Sequence, residues 1–377
     1  MWGVAFRAML TDRTRLVLSL LGVAFSVVLV NLQAGLLLGL IQKASLLVDN
    51  GRADIWVGHR HMNNVDIGGF VQERWIHRLR GIEGVARAEP YIVMFAQAAM
   101  PDGSFENVIV VGCEPGSLLG GPWSLVAGER GSIVHHPDGI AIDACDAAKL
   151  GNCRLGDVRE INGQRARVVA MTEGIVGFTT NPYVFTTLER ARRFTGVKHA
   201  ECSYFLVTAE PGIDVQELRA RIAARVPDIL DAHDRFSWSL LCMHYWLTRT
   251  GIGISFGLAT LLGLLVGLGV VTQTLYASVM ERLKEFATLK ALGADDGCIA
   301  HFIIARALAN AVLGSALGLL AVQVLGRLFS SPRAPILLSA WTALGSVLLI
   351  SVICLLAAWL PYYRIRQLDP ASVLRAS

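Results

Sequence analysis

Four long stretches without a charged residue divide the chain. They cover residues 16–42, 250–280, 307–326 and 334–363. A helix needs about 20 apolar residues to cross the hydrocarbon core of a bilayer, so each stretch is long enough to span a membrane. The first is too long for the apolar region of a cleaved signal peptide, which has about 7–15 residues, and we predict that it stays as an anchor.

The cationic residues near these stretches predict the topology, because Lys and Arg close to the ends of spanning helices remain cytoplasmic. They precede span one, separate spans two and three, and follow span four: Arg7, Arg13 and Arg15; Arg282, Lys284 and Lys290; Arg364, Arg366 and Arg375. The loop between spans three and four has Arg327 and Arg333 alone. Both termini are therefore predicted to be cytoplasmic, in the inner membrane of a bacterium, with residues 43–249 outside.

The predicted fold class is an α-helical membrane protein with four transmembrane helices and a large α+β two-lobed periplasmic domain between helices 1 and 2. The predicted order is a cytoplasmic N-terminus (1–15), transmembrane helix 1 (16–42), the periplasmic domain (43–249), transmembrane helix 2 (250–280), a cytoplasmic coupling hairpin (281–300), transmembrane helix 3 (301–328), a short periplasmic loop (329–338), transmembrane helix 4 (339–363) and a cytoplasmic tail (364–377).

The outside region alternates strand-like runs with turn signals, as is typical of a folded α+β domain. Hairpins are predicted around Pro101-Asp102-Gly103 and Asn162-Gly163, because these residues supply the fixed and positive φ angles of tight turns. Further strands are predicted at 53–58, 139–143 and 203–209, and helices at 71–80, from 144 and at 215–226. We interpret the region as two lobes, of which the second, about 116–196, is inserted into the first.

Composition agrees with a membrane protein and excludes several function classes. Hydrophobic residues make up 53% of the chain and charged residues 17%, and the mean hydropathy is +0.50. The net charge of +4 is small, so no nucleic-acid-binding surface is predicted. The sequence contains no phosphate-binding P-loop and no nucleophile, base and orienting group at motif spacing, so we predict no enzyme activity, no catalytic residue and no cofactor of its own.

Some His, Asp and Cys residues of the outside region stand close together without a recognisable pattern. They are His135, His136, Asp138, Asp143 and Cys145. Because they fit no regular ligand spacing, we interpret them as a polar surface loop and predict no metal site. Cys145 and Cys153 are close enough to form a disulfide in an oxidising compartment, and unpaired buried thiols are the alternative.

Polar and small residues within the spans predict how the helices pack. Asn31 and Gln33 are expected to face other protein, either in hydrogen bonds between helices or along a substrate path. Glycines four residues apart allow helices to approach closely. Such pairs occur at Gly35/Gly39, Gly253/Gly257, Gly263/Gly267 and Gly314/Gly318.

The most charged segment between two spans reads ERLKEFATLKALG, at residues 281–293. Opposite charges three residues apart and strong helix formers predict a short helix, which Gly293 would end in the left-handed conformation. A solvated hairpin that only orients the spans is one interpretation. A docking surface for a cytosolic partner is the other.

Two motifs resemble those of MacB/FtsX-type ABC transporter permeases. Residues 281–294 match the pattern ER-x-x-E-x-x-x-L-K-A-x-G-A, and the tail RIRQLDPASVLR resembles the ending L-D-P-x-x-x-L-R. The four-span plan with one large outside domain matches as well. The resemblance implies that this segment contacts a separate cytosolic ATPase subunit, which binds the ATP, through Glu281, Arg282, Glu285, Leu289, Lys290 and Gly293.

The layout is closest to DevC-type permeases, because the MacB type proper carries its ATPase in the same chain and FtsX proteins usually have a smaller outside domain. The resemblance implies a permease homodimer on two ATPases in membrane lipid, with a periplasmic adaptor and an outer-membrane channel as further partners. It implies that motion passed to the outside lobes drives export or extraction of a lipid-like or other amphiphilic cargo. A lipoprotein-releasing permease, a signalling permease that activates a cell-wall hydrolase and a sensory receptor are the alternatives.

Overall fold

Long apolar helices and a large mixed sheet make up the structure. The computed structural model describes residues 13–281, 288 and 296–366. The helices are α1 (Arg13–Lys43), α2 (Leu46–Asn50), α3 (Trp75–Arg80), α4 (Ser132–His135), α5 (Leu188–Thr195), α6 (Val215–Arg225), α7 (Arg235–Thr248), α8 (Gly251–Glu281), α9 (Asp296–Phe329) and α10 (Ala340–Arg366). The strands are β1 (Ile55–His59), β2 (Val71–Gln72), β3 (Val85–Ala99), β4 (Phe105–Cys113), β5 (Leu125–Gly128), β6 (Gly139–Asp143), β7 (Val158–Ile161), β8 (Gln164–Thr172), β9 (Tyr183–Thr187), β10 (Glu201–Cys202), β11 (Tyr204–Ala209) and β12 (Leu230–Asp234).

Helices α1, α8, α9 and α10 are long and apolar enough to cross a membrane, which confirms the four-helix prediction. Their candidate spans are Val17–Lys43, Gly251–Thr274, Ile303–Phe329 and Ala340–Trp359. The chain divides into two units. The helical unit contains the chain up to Gly39 and from Ile254 onwards, and the α+β domain is Leu40–Gly253.

The sheet of the α+β domain is organised around its longest strand, β3. The strand order is β12-β1-β11-β3-β4-β9-β6-β8-β5, and β7 pairs with both β3 and β8. The first half of β3 pairs with β11, from Val85 to Tyr91, and the second half pairs with β4, from Ile92 to Ala99. The sheet therefore continues through β3, and the predicted boundary of a second lobe at about 116–196 stays a prediction.

Alternate residues of the central strands enter two cores on opposite faces of the sheet, because side chains along a strand point to opposite sides. In β1, Ile55 and Val57 join the core beneath helices α3, α5 and α6, whereas Trp56 joins the opposite core with α2 and α7. In β11, Phe205 and Tyr204 divide in the same way. Burial on both faces explains why these strands are apolar almost throughout.

The predicted strands and turns are found in the domain, whereas two of the predicted helices differ from those observed. Asn162 and Gly163 have φ values of 46° and 77°, as a tight hairpin turn between β7 and β8 requires. The helix predicted for 71–80 is wrong in its first half: β2 pairs with β10, and α3 begins at Trp75. The helix predicted from 144 is a single 3₁₀ turn, Ala144–Asp146, capped by the Asp143 carboxylate.

Gly112 allows α5 to lie close to the sheet, and we predict that Gly112→Val lowers the melting temperature of the full-length protein. A Cβ atom at this position would overlap the Ala191 side chain of α5 and lie 3.3 Å from the Ile92 Cβ. Overpacking of this kind costs about 1–3 kcal/mol. The control is Gly116→Val, because a Cβ there meets no atom within 4 Å. Equal melting temperatures for both variants would contradict the packing argument.

Candidate functional site

The predicted ATPase-coupling segment lies at the junction of α8 and α9. Glu281 is the last residue of α8, and α9 begins at Asp296. Arg282, Glu285, Leu289, Lys290 and Gly293 lie outside the residues that the structure describes. Their role in contacting an ATPase stays a prediction. The structure describes the helices that flank this segment and the α+β domain.

Helix α1 contacts the other three spanning helices of the helical unit. Glycines of α9 face it directly, since Cβ atoms on Gly314 and Gly318 would lie 2.5 and 2.7 Å from the Cβ atoms of Val23 and Val27. On α8, Gly263 packs against Leu29 in the same way, with its Cβ position 3.2 Å from the Leu29 Cδ1. These glycines thus let the backbones approach, as their spacing predicts.

Polar side chains also join α1 to its neighbours. The Asn31 amide donates a hydrogen bond of 2.8 Å to the Ser346 hydroxyl of α10, so the predicted inter-helix hydrogen bond is confirmed. Asn310 of α9 donates to Ser19 over 2.9 Å. Polar groups within hydrocarbon have no water to bond to, and these hydrogen bonds satisfy them. The bonds also favour this packing over one in which a helix is shifted along its axis.

Among the described residues of the helical unit, most of the span surface of α8 has no protein contact. Apolar side chains of one broad face are exposed: Ile254, Leu258, Leu261, Leu262, Leu265 and Val266. Cβ positions on Gly257 and Gly269 likewise meet no described atom within 4 Å. The face is therefore available to lipid or to another spanning helix.

Two short helices lead from the spans into the same core of the α+β domain. Helix α2 follows α1 after two residues, and α7 ends just before α8. Leu47 of α2 and Trp238 and Cys242 of α7 are fully buried in the core that contains Trp56. The chain thus enters and leaves the domain through helices that pack on a shared set of aromatic side chains.

A buried carboxyl group lies within this aromatic core. Asp66 is 1% exposed, and its Oδ1 atom accepts a hydrogen bond of 2.7 Å from the Tyr183 hydroxyl. Burial raises the pKa of Asp66 to about 6, and the Tyr183 hydrogen bond lowers it in part. The Tyr204 hydroxyl fixes the same loop through the carbonyl of Val65, at 3.0 Å. The arrangement keeps this carboxyl protonated to a higher pH than an exposed aspartate would be.

The loop between β8 and β9 contacts α7 directly. The Phe178 ring lies on the Trp246 indole, with ring centroids 4.1 Å apart and an angle of 32° between the planes. The Lys149 ammonium donates to the carbonyl of Thr180 in the same loop. The loop thus contacts α7 from one end of the sheet, and α7 also contacts β12 and β1 at the other end.

A polar cleft of about 440 Å³ lies on the other side of the sheet. It is lined by Glu73, Arg74, Ile76, His77, Arg80, Pro90, Glu114, Arg192 and His199. The buried Arg192 guanidinium pairs with Glu73 and Glu189, which joins α5 to the segment after β2. The pKa of Glu114 is raised, first by burial and then by Glu89 and Glu73. The buried Arg192 cation of the cleft is thus already neutralised by the carboxylates of Glu73 and Glu189.

The residues considered as metal ligands or as a disulfide have other contacts. Asp138 forms an ion pair of 2.9 Å with Arg165, and the buried Asp143 carboxylate accepts from the Ile175 amide at 2.7 Å. The Cys153 thiol is buried and donates to the carbonyl of Leu150. The disulfide considered between Cys145 and Cys153 is not formed in the described part of the chain.

The geometry can be compared with known protein families. A model of the MacB-like periplasmic core domain matches residues 16–225, and a model of the FtsX-like permease C-terminal domain matches residues 257–370. The chain belongs to the MacB/FtsX-type ABC transporter permeases. The family confirms the four-helix plan with a large α+β domain between helices 1 and 2. The second match includes the charged segment 281–293.

Curated relatives are permeases without an assigned cargo. An uncharacterized ABC transporter permease of Mycobacterium tuberculosis is 25% identical over 97% of this chain and 97% of its own length. One of Methanocaldococcus jannaschii is 22% identical over 59% of this chain, and the match spans 58% of that relative.

Two solved structures are similar to part of this permease. They are the extracellular domain of the noncanonic ABC-type transporter YknZ from Gram-positive bacteria and the periplasmic region of MacB from Actinobacillus actinomycetemcomitans. The first is 15% identical, with a TM-score of 0.37, over 48% of this chain and 99% of that one. The second is 10% identical, with a TM-score of 0.38, over 49% and 90%.

Asp66 and the contacts of α7 were not predicted from the sequence. Asp66 stands in a segment without strand or helix periodicity, so nothing in its neighbourhood indicates burial. For α7 a signal is present: the run FSWSLLCMHYWL directly before span two is apolar and rich in aromatic residues. Such a run indicates a helix with more than one buried face.

We predict that Asp66→Asn stabilises the permease above pH 6. The folded-state pKa of about 6 is higher than the ordinary aspartate value of 3.8, so ionisation opposes folding, and stability is lost as the pH rises through this range. The full penalty is about 3 kcal/mol, since one pKa unit corresponds to about 1.4 kcal/mol. The asparagine oxygen can still accept the Tyr183 hydrogen bond.

The measurement is the melting temperature of the purified permease between pH 4 and pH 8. The gain of Asp66→Asn over the natural protein should be largest at pH 7–8 and disappear towards pH 4. Asp228→Asn is the control, because Asp228 is exposed and only its backbone carbonyl bonds to Arg60. A gain that does not depend on pH would contradict the buried ionisation.

Proposed function

We propose that this permease works with a separate cytosolic ATPase and transmits the ATPase's motion to the α+β domain, where it drives export or extraction of a lipid-like or other amphiphilic cargo. The observation that carries the proposal is the shared core on which α2 and α7 pack. A displacement of α1 relative to α8 would act on both helices and hence on the domain between them. That makes the domain the element whose conformation a distant ligand can bias.

The membrane orientation of the proposal follows from the Lys and Arg residues near the spans. It places both termini and residues 281–293 in the cytoplasm and the α+β domain outside the inner membrane. The exposed apolar face of α8 supports a homodimer, because its uncovered glycines at 257 and 269 allow a second helix to approach. A periplasmic adaptor and an outer-membrane channel would complete an export route.

We predict that Glu285→Ala and Leu289→Ala weaken the coupling between ATP hydrolysis and the α+β domain while the protein remains folded. Both residues lie in the motif that resembles the ATPase-contacting segment of the family. An ATP-dependent change in protease cleavage of the α+β domain should fall by about tenfold, within the usual range of coupling free energies. Hydrolysis by the co-purified ATPase is measured in parallel.

The control is Arg327→Ala, an exposed cation near the end of α9 that is predicted to lie on the opposite side of the membrane. It should leave both hydrolysis and the ATP-dependent cleavage pattern unchanged. Unaltered coupling and ATPase binding in the Glu285 and Leu289 variants would contradict the proposal. Co-purification of a cell-wall hydrolase rather than an adaptor or lipid would favour the signalling alternative.

A further inference from the structure

Helix α7 has two apolar faces, although only one is needed to attach it to its domain. Trp238 and Cys242 are fully buried in the aromatic core. On the other side, Leu240, Met243 and Leu247 recur at the three- and four-residue spacing of a helix face. Leu240 is 48% exposed. A second apolar stripe on a helix that is already anchored indicates contact with something besides the domain.

This second stripe borders an open groove of about 460 Å³ in the α+β domain. Its lining consists of Ile41, Leu240, Leu241, Met243, His244 and Leu247. Among these described residues, His244 is the one with a polar side chain. A groove of this composition offers dispersion contacts and apolar burial to its occupant and few hydrogen bonds, which suits a hydrocarbon chain.

The chain's order places this groove at the boundary of the membrane. Ile41 lies within the candidate span Val17–Lys43, in its last turn. Leu247 stands four residues before Gly251, where the candidate span of α8 begins, which corresponds to about 6 Å of helix. Tyr245 and Trp246 accompany it, and such aromatic residues are enriched where hydrocarbon meets the polar headgroups.

We propose that this groove binds an acyl chain of a phospholipid from the surrounding bilayer. The hydrocarbon lies along Leu240, Met243 and Leu247 against Ile41. As an entry point for amphiphilic cargo, the site rests on the proposed function. As a lipid-binding site, it stands on the groove alone.

A lipid fits the groove better than a protein partner does. Stable protein interfaces bury about 800 Å² on each side and involve about 20–30 residues of each partner, whereas six residues line this groove. An acyl chain is narrow and needs only a strip along one helix. Because Ile41 belongs to a candidate membrane span, the lining begins at the predicted boundary of the bilayer.

The test uses the full-length permease in vesicles that contain phosphatidylglycerol with a photoreactive diazirine in the middle of one acyl chain. After illumination, digestion and mass spectrometry should locate adducts on residues 240–247. The labelling should saturate as the probe fraction rises. It should be competed by unlabelled phosphatidylglycerol with 16-carbon chains but not by the 6-carbon form, since a short chain buries less of the stripe.

Two variants of equal exposure separate this site from general contact with the bilayer. Leu240→Gln should lower the adduct yield on α7 about tenfold, because a buried amide without partners disfavours the hydrocarbon. Leu155→Gln changes a leucine that is also 48% exposed but lies elsewhere in the domain, and labelling should be unaffected. Equal melting temperatures would show that both variants are folded, and Leu247→Gln is the second groove variant should one fail.

Labelling confined to the spanning helices, or insensitive to both groove variants, would overturn the proposal. So would a disulfide between two copies of a Leu240→Cys variant in the absence of labelling, which would assign the groove to a second permease. The labelling reaction contains no ATPase, so labelling of the groove is expected even if the proposed ATP-driven function is wrong. Conversely, lost labelling with intact ATP-dependent coupling would reject the groove alone.

Discussion

The packing of α2 and α7 on one aromatic core is the interaction on which the rest of this permease depends. Along the chain, these two helices are the parts of the α+β domain that follow α1 and precede α8. Both are short, so neither has enough length to be stable by itself, and burial of Leu47 and Trp238 is what holds them. Each buried side chain of this size contributes roughly 1.5–3 kcal/mol.

The same core contains the least expected group of the domain, a carboxyl without a cationic partner among the described residues. The Tyr183 hydroxyl holds Asp66 in place through a hydrogen bond, and the Tyr204 hydroxyl holds its loop through the Val65 carbonyl. Below about pH 6 this buried acid is protonated, which avoids the cost of a buried charge, and above it the ionised form opposes folding. We therefore expect the stability of the core that receives the two connecting helices to depend on pH.

In the helical unit, glycines and a few polar residues stabilise the packing, whereas apolar burial stabilises the α+β domain. Lipid is as apolar as leucine, so the helices gain little by burying leucine against each other. Close backbone approach at Gly314 and Gly318 and the Asn31–Ser346 hydrogen bond supply contacts that lipid cannot. The face of α8 that meets no such partner among the described residues is where a second permease is proposed to bind.

The spans, the hairpins at Asn162-Gly163 and Pro101-Asp102-Gly103, and the strand runs were readable from the sequence because each depends on local properties. These are the length of an apolar run, the φ angles that Gly and Asn allow, and side-chain periodicity. The error at 71–80 has the opposite cause: Val71 and Gln72 form a strand because β10, far along the chain, pairs with them. Local propensity contains no information about that partner.

The sequence by itself thus determined the class of the protein, its four membrane-spanning helices and, through the motif at 281–294, its family. Tertiary structure decided which residues meet. It placed Asp66 among tyrosines, brought Phe178 onto Trp246 and left a groove open along one face of α7. The physical reason is that membrane insertion depends on the hydrophobicity of single segments, whereas burial of a side chain depends on what the rest of the chain places around it.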